Sequence, residues 1–199
     1  CQLWDLDGER RMKWFDIEGP IDNAEFSPDG SRIALTTPRG AVHLLTFPEG
    51  RPVRSWPERN PIPCLRFSPD GKRLGIVDQE ILVWDVNADA PAYPTGAMPC
   101  PAHVVRFPAG RSSILVEGRD EKLRLYDLAE GEEPKLVFGP VDHGVATIHV
   151  PCEQLMGLGG DTLVSCRREG VSFWNLKSGE VVGRSPDPGF ALSTVAVPL

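Results

Sequence analysis

The chain has 199 residues, of which 41% are hydrophobic and 25% charged, and a formal net charge of −7. That length suits one sizeable domain rather than several. The acidic balance excludes the basic footprint that non-specific nucleic-acid binding requires, and the absence of an apolar run of about 18 residues excludes a membrane-spanning helix.

In chain order, the first recognisable segment is Leu3-Trp4-Asp5-Leu6, which reads as a short strand. Phe26-Ser27-Pro28-Asp29-Gly30 follows, and the same pentapeptide returns at Phe67–Gly71, 41 residues later. In each copy proline presets the first turn position and glycine can take positive φ where the hairpin closes. The second unit shows the organisation best. Pro52–Trp56 reads as an outer strand, Ile62–Phe67 as the next, Arg73–Val77 as its return, Asp78-Gln79-Glu80 as a turn, and Ile81–Val86 as the last strand. The strands are short, rich in β-branched and aromatic residues, and punctuated by Gly and Pro, which is an all-β pattern without amphipathic helices.

Two markers repeat along the whole chain. The aromatic or apolar residue of the Trp-Asp segment falls at Trp4, Leu45, Trp84, Tyr126 and Trp174, in steps of 41, 39, 42 and 48. The residue opening the Ser-Pro-Asp-Gly turn falls at Phe26, Phe67, Phe107, Val150 and Val197, in steps of 41, 40, 43 and 47. Both stretch in the last unit, where Gln154–Asp161 reads as a short insertion. A period near 40 residues is the signature of a repeat architecture in which each unit buries its faces against its neighbours. The repeats end near positions 6, 47, 86, 128 and 176 of a single repeat domain over 1–199.

These residues resemble the WD-repeat (WD40-like) β-propeller family. The resemblance implies four-stranded antiparallel blades around a channel, with four complete repeats and partial blades at both ends. Asp78 and Asp120 stand six residues before the Trp position, as the family favours, whereas Arg39 and Arg168 replace that Asp. The Gly-His pair of the family is missing, so apolar packing between blades is expected to hold the ring. The chain opens within a strand at Cys1 and stops within another, so a piece of a longer propeller is expected. The alternative pairs Leu3–Leu6 with the tail to close five blades.

Chemistry is sparse. Cys1, Cys64, Cys100, Cys152 and Cys166 form no C-x-x-C pair, and Cys64 and Cys166 read as small buried hydrophobes. A reducing, cytoplasmic setting is the expectation. His43, His103, His143 and His149 lie in separate strands or loops, which does not suit a four-ligand zinc site. No serine sits in a Gly-x-Ser-x-Gly elbow. Gly157–Asp161 lacks the Lys-Ser/Thr of a phosphate loop and reads as a turn. No catalytic residue, metal or cofactor is expected.

Function is therefore expected on loops displayed by a rigid scaffold. The resemblance implies one loop face built from Pro38-Arg39-Gly40, Asp78-Gln79-Glu80, Arg119-Asp120-Glu121 and Arg167-Arg168-Glu169, with the inter-blade segments Glu58-Arg59-Asn60, Ala97-Met98-Pro99 and Asp142-His143. The candidate partner-binding residues are Arg39, Arg59, Asn60, Glu121, His143, Arg167 and Arg168. Partners are expected to be other proteins or further domains of the same chain, with neither nucleic acid nor membrane. The expected role is a non-catalytic interaction scaffold. The alternative is the propeller portion of a hydrolase, or of a periplasmic TolB-like or lactonase-like protein.

Overall fold

The structure is a computed structural model that describes residues 4–5, 10–11, 19–57, 60–62, 64–88, 92–93, 98, 102–108, 111–120, 122–129, 132–142, 155–158, 162–167 and 170–186. Every regular element among them is a β-strand. Strands β1 (Trp4–Asp5) and β2 (Arg10–Arg11) form a hairpin. The first blade contains β3 (Asn23–Phe26), β4 (Arg32–Thr36), β5 (Val42–Thr46) and β6 (Pro52–Trp56). The second contains β7 (Cys64–Phe67), β8 (Arg73–Val77) and β9 (Ile81–Asp85). The third contains β10 (Ala102–Arg106), β11 (Ser113–Gly118), β12 (Lys122–Asp127) and β13 (Lys135–Asp142). The fourth contains β14 (Leu155–Leu158), β15 (Thr162–Arg167), β16 (Gly170–Asn175) and β17 (Val181–Pro186). Each sheet is an antiparallel meander in chain order.

The sequence unit and the hydrogen-bonded blade are offset by one strand. Pro52–Trp56 precedes β7 in the repeat, yet it pairs with β5 of the preceding sheet, Val42 opposite Trp56 and Leu44 opposite Arg54. The fourth blade also departs from the phase of the repeat. Its first strand is Leu155–Leu158, which pairs with β15. The expected insertion at Gln154–Asp161 thus contains a strand, and the marker at Val150 lies outside the described residues.

In the second blade the outer position is filled differently. Ala92 donates its N–H to Val83 O at 2.7 Å, and Tyr93 and Met98 are buried against the sheet. In the other three blades the outer strand carries a bulge at one repeated point, between Leu44 and Leu45, Leu125 and Tyr126, and Phe173 and Trp174 of the partner strand. The register leaves Val53, Val137 and Val182 as the extra residues, all exposed. A bulge there interrupts an edge that could otherwise pair with another chain.

The core lies between blades. One cluster joins Ala34, Leu44 and Trp56 of the first blade to Leu65, Phe67, Leu74 and Leu82 of the second. Another joins Cys64, Val77 and Val83 to Val105, Ile114, Val116 and Tyr126 of the third. A third joins Leu115, Leu123 and Leu125 to Leu163, Trp174 and Leu176 of the fourth. Cys64 is thus the buried hydrophobe the sequence suggests. A fully buried leucine contributes roughly 1.5–3 kcal/mol, against about 1 kcal/mol or less for an exposed ion pair. Apolar packing therefore dominates these joints. Size is matched across them: a Cβ at Gly75 would sit 2.9 Å from the Phe107 ring. The first strands approach each other closely, β3 on β7 and β7 on β10, so they form the inner side of the assembly.

Candidate functional site

An antiparallel meander sends alternate connections to opposite ends of its strands. One end carries the β3–β4 and β7–β8 turns, which are the two Ser-Pro-Asp-Gly segments, with the β5–β6 turn. The other end carries the β4–β5, β8–β9 and β11–β12 turns and the connection from β6 to β7.

The Ser-Pro-Asp-Gly end is internally satisfied. Ser27 Oγ donates to Asp29 Oδ1 at 2.6 Å and accepts the Arg32 N–H at 2.9 Å. Asp29 also accepts the Ser31 N–H and hydroxyl. The second copy repeats this: Ser68 donates to Asp70 at 2.5 Å and accepts the Arg73 N–H at 2.9 Å. Gly30 and Gly71 both take φ of +68°, the left-handed conformation that the turn needs and that favours glycine. The hydrogen bonds from Ser27 and Ser31 hold the exposed Asp29 carboxyl down at about 2. For Asp70, partial burial pushes upward, but hydrogen bonds from Ser68 and the Lys72 N–H outweigh it and leave the pKa lowered.

The same end fastens the first blade to the second and the second to the third. Arg32 Nη2 donates to Asn87 Oδ1 at 3.2 Å. Arg73, at the same repeat position, donates to Leu128 O at 2.9 Å and to Ser112 Oγ at 3.1 Å, and its guanidinium stands 5.5 Å from the Tyr93 ring centroid. Each of these latches, Arg32 to Asn87 and Arg73 to Leu128, spans 55 residues. In the third blade the position is Ser113, a buried hydroxyl with no hydrogen-bond partner among the described residues. These turns are structural.

The opposite end is more varied. The β4–β5 turn closes through Gly40 N–H to Thr37 O at 2.8 Å, with Arg39 exposed at its tip. The β8–β9 turn is pinned by Asp78, which is buried and accepts the Glu80 N–H at 2.8 Å. In the β11–β12 turn Asp120 takes both Nη atoms of Arg124, at 2.9 and 2.5 Å, and that guanidinium holds its carboxyl down at about 2.

Asn60, on the connection between the first and second blades, meets Asp78, Gln79 and Glu80 around an open cleft of about 360 Å³. Asn60, Gln79 and Glu80 are exposed there. The cleft presents amide groups and carboxylates, a lining that accepts hydrogen bonds from a basic or amide side chain. Among the described residues no group of three or more His, Cys, Asp or Glu could hold a metal ion.

Of the residues singled out in the sequence, Asn60 lines this cleft, and Arg39 lies at the turn of the preceding blade. Arg167 ends β15. Arg59, Glu121, His143 and Arg168 lie outside the described residues. Gln79 and Glu80 belong to a projected loop but carry no motif of their own. Their meeting with Asn60 depends on how two blades pack, and spacing alone does not encode that.

No protein-family model and no curated protein matches the chain. Solved structures do. The WD40 repeats of RRP9 overlay with a TM-score of 0.62 at 20% identity, covering 81% of this chain and 50% of that one. A structure of U3-55K gives 0.61 at 20% identity with the same coverage. The dihydro-heme d1 dehydrogenase NirN in complex with DHE gives 0.68 at 18% identity, covering 94% of this chain and 41% of that one. At such identities the likeness is one of fold, and that fold is the β-propeller. The chain spans about half the length of the RRP9 and U3-55K chains it matches. No helix among the described residues is long and apolar enough to cross a membrane.

Proposed function

We propose that this propeller segment is a non-catalytic protein-interaction module whose partner docks on the loop end that includes the cleft. The observation that carries this reading is the meeting of Asn60 with Asp78, Gln79 and Glu80. Its rim side chains are exposed, while its floor residue Asp78 is spent on holding the turn. A rigid frame beneath such loops favours binding with little change of shape. The lining fits a partner segment bearing Lys, Arg or amide side chains, and Arg39 on the neighbouring turn extends the face. The acidic chain and the cytoplasmic setting proposed for it agree with a protein partner rather than nucleic acid.

The test compares pull-downs with the intact chain and with Asn60→Ala/Gln79→Ala/Glu80→Ala, with Arg39→Ala/Arg167→Ala/Arg168→Ala as a second set. Loss of the same specific partners is expected from the first set. Equal recovery by both variants and the intact chain would sink the assignment of this face.

A second reading, the propeller portion of an enzyme, is favoured by the overlay with the NirN dehydrogenase over 94% of this chain. Sequencing the complete gene separates the two. A catalytic domain or cofactor-attachment motif in the flanks supports the second reading.

A further inference from the structure

The backbone on both walls of the cleft is fixed by the chain itself. Asn60 is held from the side that follows it. Pro61 restrains the backbone there. Ile62 is buried in the core shared by the first and second blades, and its carbonyl accepts Asn23 Nδ2 at 3.0 Å. On the other wall the Asp78 N–H donates to Glu80 O at 3.1 Å, and the Glu80 N–H donates to Asp78 Oδ1 at 2.8 Å. The turn is thus closed on itself. The side chains at the rim are in the opposite condition. Asn60, Gln79 and Glu80 are exposed, and none of the three engages another described residue through its side chain. A frame that is already ordered loses little freedom when a ligand enters, so the interactions of its free groups are spent on binding.

The free groups define what they can hold. Glu80 offers two carboxylate oxygens, and Asn60 and Gln79 offer one amide oxygen each. The carboxylate favours a cation over a neutral amide. The acceptors stand on both walls, Asn60 on the connection between blades and Glu80 on the β8–β9 turn. An ammonium aims three donors from one compact, strongly hydrated point, and in an open cleft it keeps much of its water. A guanidinium carries five donors around a planar fork and is more weakly hydrated. One edge can pair with a carboxylate through two parallel bonds while the remaining N–H groups reach amide oxygens on the opposite side.

We propose that the cleft receives an arginine side chain of the partner. Its guanidinium pairs with the Glu80 carboxylate and donates to the amide oxygens of Asn60 and Gln79. This assignment rests on the docking face proposed above and narrows it to one kind of side chain, with arginine preferred over lysine.

The test titrates the whole 15N-labelled chain with blocked tripeptides Gly-Arg-Gly, Gly-Lys-Gly and Gly-Gln-Gly. Ionic strength is constant and the peptides reach about 50 mM, which exceeds a Kd in the millimolar range. The side-chain NH2 signals of Asn60 and Gln79, assigned through Asn60→Ala and Gln79→Ala, report on the cleft. Both signals are expected to shift saturably with the arginine peptide, at a Kd about threefold to tenfold below that of the lysine peptide. Glu80→Gln is expected to remove this preference. Glu49→Gln, an exposed change of equal charge on the β5–β6 turn at the opposite end, is expected to keep it. Equal dissociation constants for the arginine and lysine peptides, or shifts that never saturate, would overturn the assignment. In either case the docking face itself stands if Asn60→Ala/Gln79→Ala/Glu80→Ala still loses its partners in the pull-down. Unchanged recovery by that set sinks the face and this assignment together.

Discussion

The two ends of these strands are built on different terms. At one end Ser27, Asp29 and Arg32 in the first blade, and Ser68, Asp70 and Arg73 in the second, make the same hydrogen bonds in the same order. That end also carries the two arginine latches. At the other end the turns Pro38-Arg39-Gly40, Asp78-Gln79-Glu80 and Arg119-Asp120-Glu121 share almost no side chain. The repeated end leaves few side-chain groups uncommitted. The varied end needs only a pinned backbone, so its tips are free to differ. What repeats in this molecule is structural, and the partner face proposed above lies where repetition fails.

Substitutions can break that division, and the largest effect is expected in the joint beneath both ends. Gly75→Val drives methyl groups into the Phe107 ring, which already lies 2.9 Å from the position of a Cβ. Overpacking of this kind costs about 1–3 kcal/mol, read as a lower urea midpoint with unchanged slope. Next comes Arg73→Ala, which removes the bonds to Leu128 and Ser112. A loss of about 1–2 kcal/mol is expected, and Ser113→Arg is the converse experiment, placing an arginine where the third blade has serine.

Ser68→Ala should cost about 1 kcal/mol, because the Arg73 N–H loses its acceptor. Full partner recovery by this variant would sharpen the contrast between the ends, and loss of recovery without unfolding would break it. A smaller effect is set by pH. Asp29 and Asp120 fall from an ordinary 3.8 to about 2 in the folded chain. The unfolded chain therefore holds these protons more tightly. The stabilisation is present above 3.8 and is lost as pH falls through about 2. Asp29→Asn and Asp120→Asn are each expected to flatten the stability profile across that window, as followed by acid titration of the tryptophan fluorescence. The smallest change in stability, within about 0.5 kcal/mol, is expected for Asn60→Ala/Gln79→Ala/Glu80→Ala, even as partner binding falls.

Several elements were legible because they rest on local chemistry. Proline, aspartate and glycine at fixed offsets are enough to specify the turns at Ser27–Gly30 and Ser68–Gly71. Short β-branched and aromatic runs, punctuated by Gly and Pro, placed Pro52–Trp56 and Arg73–Val77 as strands with the bounds observed. Other features were out of reach because they depend on which strand lies beside which. The pairing of β6 with β5, the strand at Leu155–Leu158 and the bulges at Val53, Val137 and Val182 all follow from register. The cleft is in the same category, since it needs Asn60 of one connection beside a turn of the next blade.

By itself, the sequence determined the period, the turn chemistry and the all-β character, because each depends on residues within a few positions of one another. Only the tertiary structure decided which strands share a sheet, which residues the bulges expose, and which loops meet. Those outcomes depend on hydrogen-bond register and on apolar faces, such as Phe107 against Gly75, that come together from residues tens of positions apart.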